Sequence, residues 1–250
     1  MTTASQDKAG EMPLPIWHEA LMGVDLLMLH SSPVFWGVGV PPGDKSAVII
    51  LPGFLHSDVY LMVMYAWLSR VGYRPYYSGI DLNAECPDLL IRFHLIKRLQ
   101  RARAETGGKV HLIGHSLGGV IARSLAAQKP SLVASLITLG SPFQGALLHR
   151  SILRDAEAVR RFIQHKHGVK VPPECYTQEC GCRFVQALRK GVPASIRQTS
   201  IYTRTDGVLD WKACRTGDPE IDVEVRGTHA GLAFNPDVYR TIGNRLARQP

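Results

Sequence analysis

The run GHSLGG, Gly114 to Gly119, sets one hydroxyl among glycines directly behind a short apolar segment, KVHLI. It matches G-x-S-x-G with Ser116 at the centre, and LGGVIARSLAAQ follows with a helical pattern. Strand, tight turn and helix in that order lift a serine hydroxyl above a sheet edge. Glycines at 114 and 118 remove side chains where such a turn crowds the backbone. The helix N-terminus beginning there favours negative charge. The chemistry this suits is nucleophilic attack on an acyl carbon. A serine alcohol is a poor nucleophile until a base takes its proton, and the base is held by an acid.

In this arrangement the acid and then the histidine follow the serine along the chain. IYTRTDGVLDW supplies Asp206 where a strand gives way to a turn, and Asp210 four residues on is its competitor. VRGTHAGL supplies His229 just past the last strand. Ser116, Asp206 and His229 thus stand at three predicted strand ends, in the expected order. An acyl-transfer site also needs donors for the oxyanion. One is the backbone N–H of the residue after the serine, Leu117. The other is expected from the loop ILPGFLHSD, where Gly53 permits a tight turn and Phe54 supplies the N–H. The remaining histidines fit other roles. His115 points away from the serine as support, His111 alternates into the sheet, and His149, His165 and His167 fall in a basic segment. His56 follows LPGFL and is a candidate to line the site.

Groups so far apart in sequence meet only on a scaffold of strands. SAVIIL (46–51), RPYYSG (74–79), KVHLIG (109–114), VASLITLG (133–140), TSIYTR (199–204) and IDVEVRG (221–227) read as strands. Helices are expected over 58–70, 88–105, 117–128 and 237–248. Strands separated by helices predict a mostly parallel central sheet of about six strands with helices on both faces. The rhythm breaks from Phe143 to Arg197, a stretch too long for an ordinary connection. It is read as an inserted cap. Its early part carries Arg150, Arg154, Arg160, Arg161, Lys166 and Lys170 beside an apolar set: Leu147, Leu148, Ile152, Leu153, Val159, Phe162 and Ile163. The apolar side is expected to roof the site and the basic side to face solvent or an anionic surface in passing. The candidate pocket is Leu55, His56, Phe143, Leu148, Ile152 and Leu232. Residues 1–45 are read as an N-terminal extension with one docked helix, on which Ile16, Trp17, Ala20, Leu21, Val24, Leu27 and Met28 recur at helical spacing. The whole is one domain over 1–250.

Composition bounds the rest. A chain of 250 residues with 45% hydrophobic and 20% charged residues is an ordinary globular one with room for a sizeable core. The net charge of +8 carries no nucleic-acid motif and no aromatic interleaving, so it is read as solubility charge. Neither a leader pattern nor an apolar run of about 20 residues is visible, so a cytoplasmic protein without a membrane span is expected. Cys175, Cys180, Cys182 and Cys214 leave disulfides, free thiols and metal open, though C-x4-C-x-C lacks the usual two-residue knuckle. The fifth cysteine is Cys86.

The stretches LPGFLHSD, WLSRVGYRPYYSGIDLN, VHLIGHSLGG, LITLGSPFQG, IYTRTDGVLDW and THAGLAFNPDVY resemble the α/β-hydrolase family, and within it the bacterial lipase and esterase-like members. They span most of 48–240. The resemblance implies hydrolysis of carboxyl esters through an acyl-enzyme on Ser116, with no cofactor and no metal, on a small-molecule or lipid-like acyl ester. Thioester hydrolysis or acyl transfer on the same three residues is the alternative. A non-catalytic binding protein on the same scaffold is the reading from another class. The chain departs from the family in having LPGF where many lipases carry a histidine before the glycine. The paired N-terminal strands of the larger family have one counterpart, VFWGVGV.

Overall fold

The Val- and Ile-rich runs become strands, the three central ones buried along almost their whole length. In the computed structural model, which describes residues 16–145, 148–168 and 171–247, they are β1 (Ala47–Leu51), β2 (Arg74–Tyr77), β3 (Val110–His115), β4 (Val133–Leu139), β5 (Arg197–Tyr202) and β6 (Asp222–Glu224). All neighbours pair in parallel, in the order β2-β1-β3-β4-β5-β6. Every residue of β1 and β3 is buried, as a sheet covered on both faces requires. The last strand is shorter than its sequence pattern: its register with β5 covers Asp222–Glu224, with Ile221 and Val225 bonding β5 at its ends.

The order reverses beside β1. The chain goes from β1 to β2 on one side and then returns to β3 on the other, so the crevice beyond the carboxyl ends of β1 and β3 is the topological switch point of the sheet. Leu51 of β1 pairs with Gly114 of β3 at that edge. The loop after β1 and the turn at Ser116 therefore open side by side.

The helices, in chain order, are α1 (Met22–Ser31), α2 (Met62–Arg70), α3 (Pro87–Leu90), α4 (Ile96–Thr106), α5 (Leu117–Gln128), α6 (Arg150–His167), α7 (Arg183–Lys190) and α8 (Pro236–Ala247). A π-helical turn, Ile91–Leu95, joins α3 to α4. One face of the sheet is covered by α1, α2 and α8. There Leu29, Trp67, Tyr239 and Ile242 pack on Val48, Ile50 and Ile113. The other face is covered by the π-helical turn, α4 and α5, through Leu95, Leu99, Ile121 and Leu125 against Ile49, Leu51 and Leu112. The Trp67 indole also donates to Val34 O at 2.8 Å, which pins the N-terminal segment to the body.

VFWGVGV forms no strand. Pro33 opens a 3-10 turn over Pro33–Trp36, and Gly37 at φ 86° and Gly39 at φ 80° turn the chain where a strand would run straight. Where the docked N-terminal helix was expected, a 3-10 turn Ile16–Leu21 runs into α1, but the apolar set does not face the core. Trp17, Leu21, Val24, Leu27 and Met28 are exposed, while α1 buries Asp25 and Leu29 and packs Met22 and Leu26 against the body.

The excursion between β4 and β5 has two parts of different character. Its second helix, α7, lies against the sheet-covering layer: Ser124 Oγ of α5 donates to Phe184 O at 3.0 Å, and Phe184 N–H donates to Asp88 Oδ1 at 3.0 Å. Its first helix, α6, buries only Val159 and Ile163, against Cys86 and Cys175 with Phe54, Leu89 and Tyr176. Leu147 and Lys170, placed on this excursion from sequence, and Arg248, at the end of the closing helix, lie outside the described residues. Among the described residues, no helix is long and apolar enough to cross a membrane.

Candidate active site

Ser116 sits between β3 and α5 with φ 51° and ψ −124°, a region that residues with a Cβ avoid. The surroundings force it. Ser116 N–H donates to Leu139 O of the adjacent strand at 2.8 Å, while its carbonyl already accepts from Gly119 N–H at 3.0 Å as α5 begins. Gly118 must lack a side chain, because a Cβ there would strike Leu51 O and Pro52 O. The strained turn aims the hydroxyl out of the sheet edge, where Ser116 keeps partial exposure.

Two loops bring partners to it. His229 Nε2 lies 3.0 Å from Ser116 Oγ, and His229 Nδ1 lies 2.7 Å from Asp206 Oδ2. Asp206 is 4% exposed and His229 5%. The other carboxylate oxygen of Asp206 accepts from Val208 N–H and Leu209 N–H, both at 2.9 Å, so the acid is locked in its own turn. With Nδ1 donating to Asp206, the tautomer leaves Nε2 free to accept the serine proton. Burial disfavours the charged ring. The charge and hydrogen bond of Asp206, helped by the charge of Glu19, outweigh that and raise the His229 pKa above its ordinary value. Asp210 is occupied elsewhere: it caps the turn Trp211–Cys214 by accepting from Lys212 N–H at 3.0 Å.

His115 stands behind this pair as support. It is buried, its Nε2 donates to His229 O at 2.9 Å, and its ring packs on Tyr60 and on His229. Burial, with the His229 charge beside it, lowers its pKa to about 3, so it stays neutral. His111 is a core residue bonded to Ser135 Oγ at 2.7 Å. His149 caps α6 through Ser151 N–H, and His167 pairs with Glu85 at 2.9 Å.

The loop after β1 passes close over the serine: a Cβ on Gly53 would lie 3.2 Å from Ser116 Cβ. Leu55 N–H is committed to Asn83 O and His56 N–H to Gly53 O, with Phe54 N–H next to them. Leu117 begins α5, whose first N–H groups have no partner within the helix. Asn83, which the sequence gave no reason to select, braces this loop. It is fully buried, its Nδ2 donates to Pro52 O at 2.8 Å, and its main chain bonds Leu55 and His56.

The six candidate pocket residues do not gather as one wall. Leu55, at φ 56°, and His56 lie on the exposed rim, where His56 Nδ1 donates to Phe54 O and its ring packs on Tyr60. Leu232 is fully buried beside Gly140 and His229. Phe143 lies under the guanidinium of Arg123, 4.0 Å from the ring centre. Leu148 bridges to Leu209 and packs with Tyr202 and Trp211, beneath the Asp206 turn. Ile152 is half-buried on α6. The excursion between β4 and β5 instead presents Tyr176 to the loop after β1, with its ring centre 6.3 Å from that of Phe54.

All five cysteines are free thiols. Cys86 and Cys175, one from each side of the α6 contact, have sulfurs 3.5 Å apart, a pairing that spacing alone did not suggest. Cys214 is buried under the acid turn with Tyr202 and Leu209. Among the described residues no group of three or more His, Cys, Asp or Glu side chains is arranged to hold a metal ion.

Comparison with known proteins agrees with this fold. The family model for the alpha/beta hydrolase fold matches residues 78–164. The chain is 47% identical over 134 residues to a triacylglycerol lipase of Burkholderia plantarii, a match covering 50% of this chain and 37% of that protein. A triacylglycerol lipase of Pseudarthrobacter phenanthrenivorans is 47% identical over 53 residues, 21% of this chain and 17% of that one. The match thus spans little more than a third of the first relative's length and less of the second's. Among solved structures, a mature Bacillus licheniformis lipase superposes with a TM-score of 0.55 at 16% identity, covering 82% of this chain and 94% of its own. The monoacylglycerol lipase of Paleococcus ferrophilus gives 0.56 at 13% identity, covering 82% and 95%.

Proposed function

Because this chain has the α/β-hydrolase fold and resembles bacterial lipases and esterases, we propose that it is a serine hydrolase that cleaves carboxyl esters. One observation carries the reading: a strained, partly exposed serine within 3.0 Å of a histidine that is itself 2.7 Å from a buried aspartate. His229 Nε2 takes the proton of Ser116 as Oγ attacks the ester carbonyl, forming the new C–O bond. Asp206 orients the ring and stabilises the imidazolium. The N–H groups of Phe54 and Leu117 hold the oxyanion. Collapse breaks the bond to the alcohol, which leaves with the proton from His229. Water activated by the same ring then releases the acid and restores Ser116.

The substrate we propose is a small or lipid-like acyl ester, and the cap narrows to 143–182, since α7 belongs to the covering layer. Packing of Val159, Ile163 and Tyr176 around Phe54 supports a roof over the acyl side of the site. Arg150, Arg154, Arg161 and Lys166 of α6 lie exposed, and Arg160 is half-buried.

The experiment is a panel of p-nitrophenyl esters from acetate to palmitate, with the parent protein and Ser116→Ala side by side. Hydrolysis by the parent and its loss in the variant support the reading. Equal rates for the two exclude Ser116 as the nucleophile.

A further inference from the structure

The N-terminal turn Ile16–Leu21 crosses both loops that bring partners to the serine, and it gives them a single carboxylate. Glu19 Oε1 accepts from Gly207 N–H at 3.0 Å and from His229 N–H at 3.1 Å. Glu19 Oε2 accepts from Ala230 N–H at 2.7 Å. Gly207 directly follows Asp206, and Ala230 directly follows His229. One side chain, 188 residues from the first loop and 210 from the second, thus ties the main chain beside the acid to the main chain of the base.

We propose that Glu19 is a positioning residue for ester cleavage, the clasp that holds the Asp206 and His229 loops in register so that the ring meets both the carboxylate and Ser116. This rests on the Ser116, Asp206 and His229 reading and deepens it.

Three features favour a clasp over an incidental contact. First, all three partners are N–H donors, and a carboxylate offers acceptors only, on both arms. Hydrogen bonds to a charged acceptor are about twice as strong as neutral ones. Second, the same N-terminal segment makes a second attachment to the histidine loop. Asp25 of α1 is buried with Thr228 Oγ1 at 3.4 Å from its Oδ2, and a side chain at Gly231 would collide with its carboxylate. Third, the opposite side of the histidine loop is fixed independently. Tyr60 O–H donates to Ala230 O at 2.6 Å, and His115 donates to His229 O. Asp25, Tyr60 and His115 each reach only the histidine loop, whereas Glu19 spans both loops, in addition to Thr203 and Thr205, whose hydroxyls donate to Gly227 O at 2.9 and 2.6 Å.

The charge of Glu19 also acts on the ring. The titratable groups around His229 are Asp206 from the loop after β5, His115 from β3, and Glu19, with Asp25 of α1 and Tyr60 of the turn before α2 behind it. His115 is neutral and burial keeps the Tyr60 hydroxyl protonated. Burial likewise raises the carboxyl of Asp25. Beside Asp206, Glu19 is the group whose charge favours the imidazolium, the species that forms while Ser116 is attacking.

The test compares Glu19→Ala and Glu19→Gln with the parent in kcat, KM and the pH profile of kcat/KM on p-nitrophenyl butyrate, with Ser116→Ala alongside. Loosening the loops in Glu19→Ala should lower kcat about 100-fold, the cost of misplacing reacting groups by about an ångström. KM should hold, because Glu19 touches no substrate. Gln keeps an oxygen for Gly207 and His229 but turns an amide toward Ala230 N–H, so its loss should be smaller. Both variants remove the charge, so the acid limb should move to lower pH in both. A general loss of packing would not move it. A Ser116-dependent activity whose kcat and acid limb are unchanged in Glu19→Gln overturns the proposal, as does a fall in rate with the limb unmoved. Activity that survives Ser116→Ala overturns the triad reading, and this one with it.

Discussion

The loops that carry Asp206 and His229 and the segment 143–182 that packs near Phe54 are built on opposite plans. The loops grow directly from buried parallel strands. Their two working residues are held on every side: Asp206 by two N–H groups and the ring, His229 by Asp206, Ser116 and, through its main chain, His115 and Glu19. The start of the segment is tied to the acid loop by main-chain bonds, Phe143 N–H to Ala213 O and His149 N–H to Val208 O. Beyond it, α6 is anchored by the small apolar cluster around Ile163 and the pair of Glu85 with Lys166, the pairs of Glu157 with Arg160 and Arg161 staying within the helix. Such pairs contribute about 0–1 kcal/mol each. The first region is preorganised, and the second belongs to the less stable end of the fold. That division separates rate from selectivity. Damage to the loops should lower the turnover of every ester, while damage to the segment should redistribute turnover among esters.

The largest effect should come from Asp206→Asn. Loss of the acid can cost about 10,000-fold in kcat, whereas Asp210→Asn removes only a turn cap and should stay within a few-fold of the parent. The reverse ranking of measured kcat values would assign the acid to Asp210 and undo the contrast.

On the other side, Tyr176→Ala should leave kcat for short esters near the parent value. The ratio of kcat/KM between butyrate and palmitate should change by about 10- to 200-fold at most, the range open to apolar contacts. An unchanged ratio would make the segment plain cover.

A milder test is the pH dependence of kcat/KM. His229 must be neutral to act as a base, and Asp206 and Glu19 outweigh burial to raise its pKa. The acid limb should therefore lie above the ordinary imidazole value of about 6.5. A limb below that value would mean the ring lacks its carboxylate partner.

The smallest effect on turnover, and a distinct one on stability, is expected at His111. Burial, with the Arg197 charge, lowers its pKa to about 4. Between about pH 6.5 and 4 the unfolded chain binds the proton that the folded one refuses, so stability falls as the pH drops through that window. The full cost approaches about 3 kcal/mol at about 1.4 kcal/mol per pKa unit. His111→Gln should flatten the fall of Tm with acid without touching ester turnover at pH 7, and His115 should supply the slope that remains. An unchanged slope would mean that His111 titrates normally.

How much of this was legible in the sequence follows from distance along the chain. The serine turn is local: the apolar run, the glycines and the helical pattern lie within 20 residues, and the structure puts strand, turn and helix where they were read. Asp206 and His229 were legible because a parallel sheet delivers its strand ends to one edge, and both stand just past β-type runs. Glu19 was not legible, since its partners are main-chain N–H groups, which carry no residue signature. It stands on a segment whose sequence is informative only for its apolar residues. Asn83 was hidden for the same reason. VFWGVGV has the composition of a strand, but Pro33 and the positive-φ glycines override propensity. The helix α7 was absorbed into the excursion, since eight residues of RFVQALRK look alike on a cap and in a covering layer. Pairing of Cys86 with Cys175 depends on how α6 docks, which no spacing encodes.

The central claim is that Ser116 is a nucleophile made reactive by His229 and Asp206. A fluorophosphonate probe tests it without any assumption about the natural ester. Phosphonylation forms a bond from Oγ to phosphorus as fluoride leaves, and it needs the same base. Intact-mass analysis of the parent should show one adduct per chain, peptide mapping should place it on Ser116, and Ser116→Ala and His229→Ala should remain unlabelled under the same conditions. An adduct on another residue, or labelling of Ser116→Ala at the parent rate, would contradict the account.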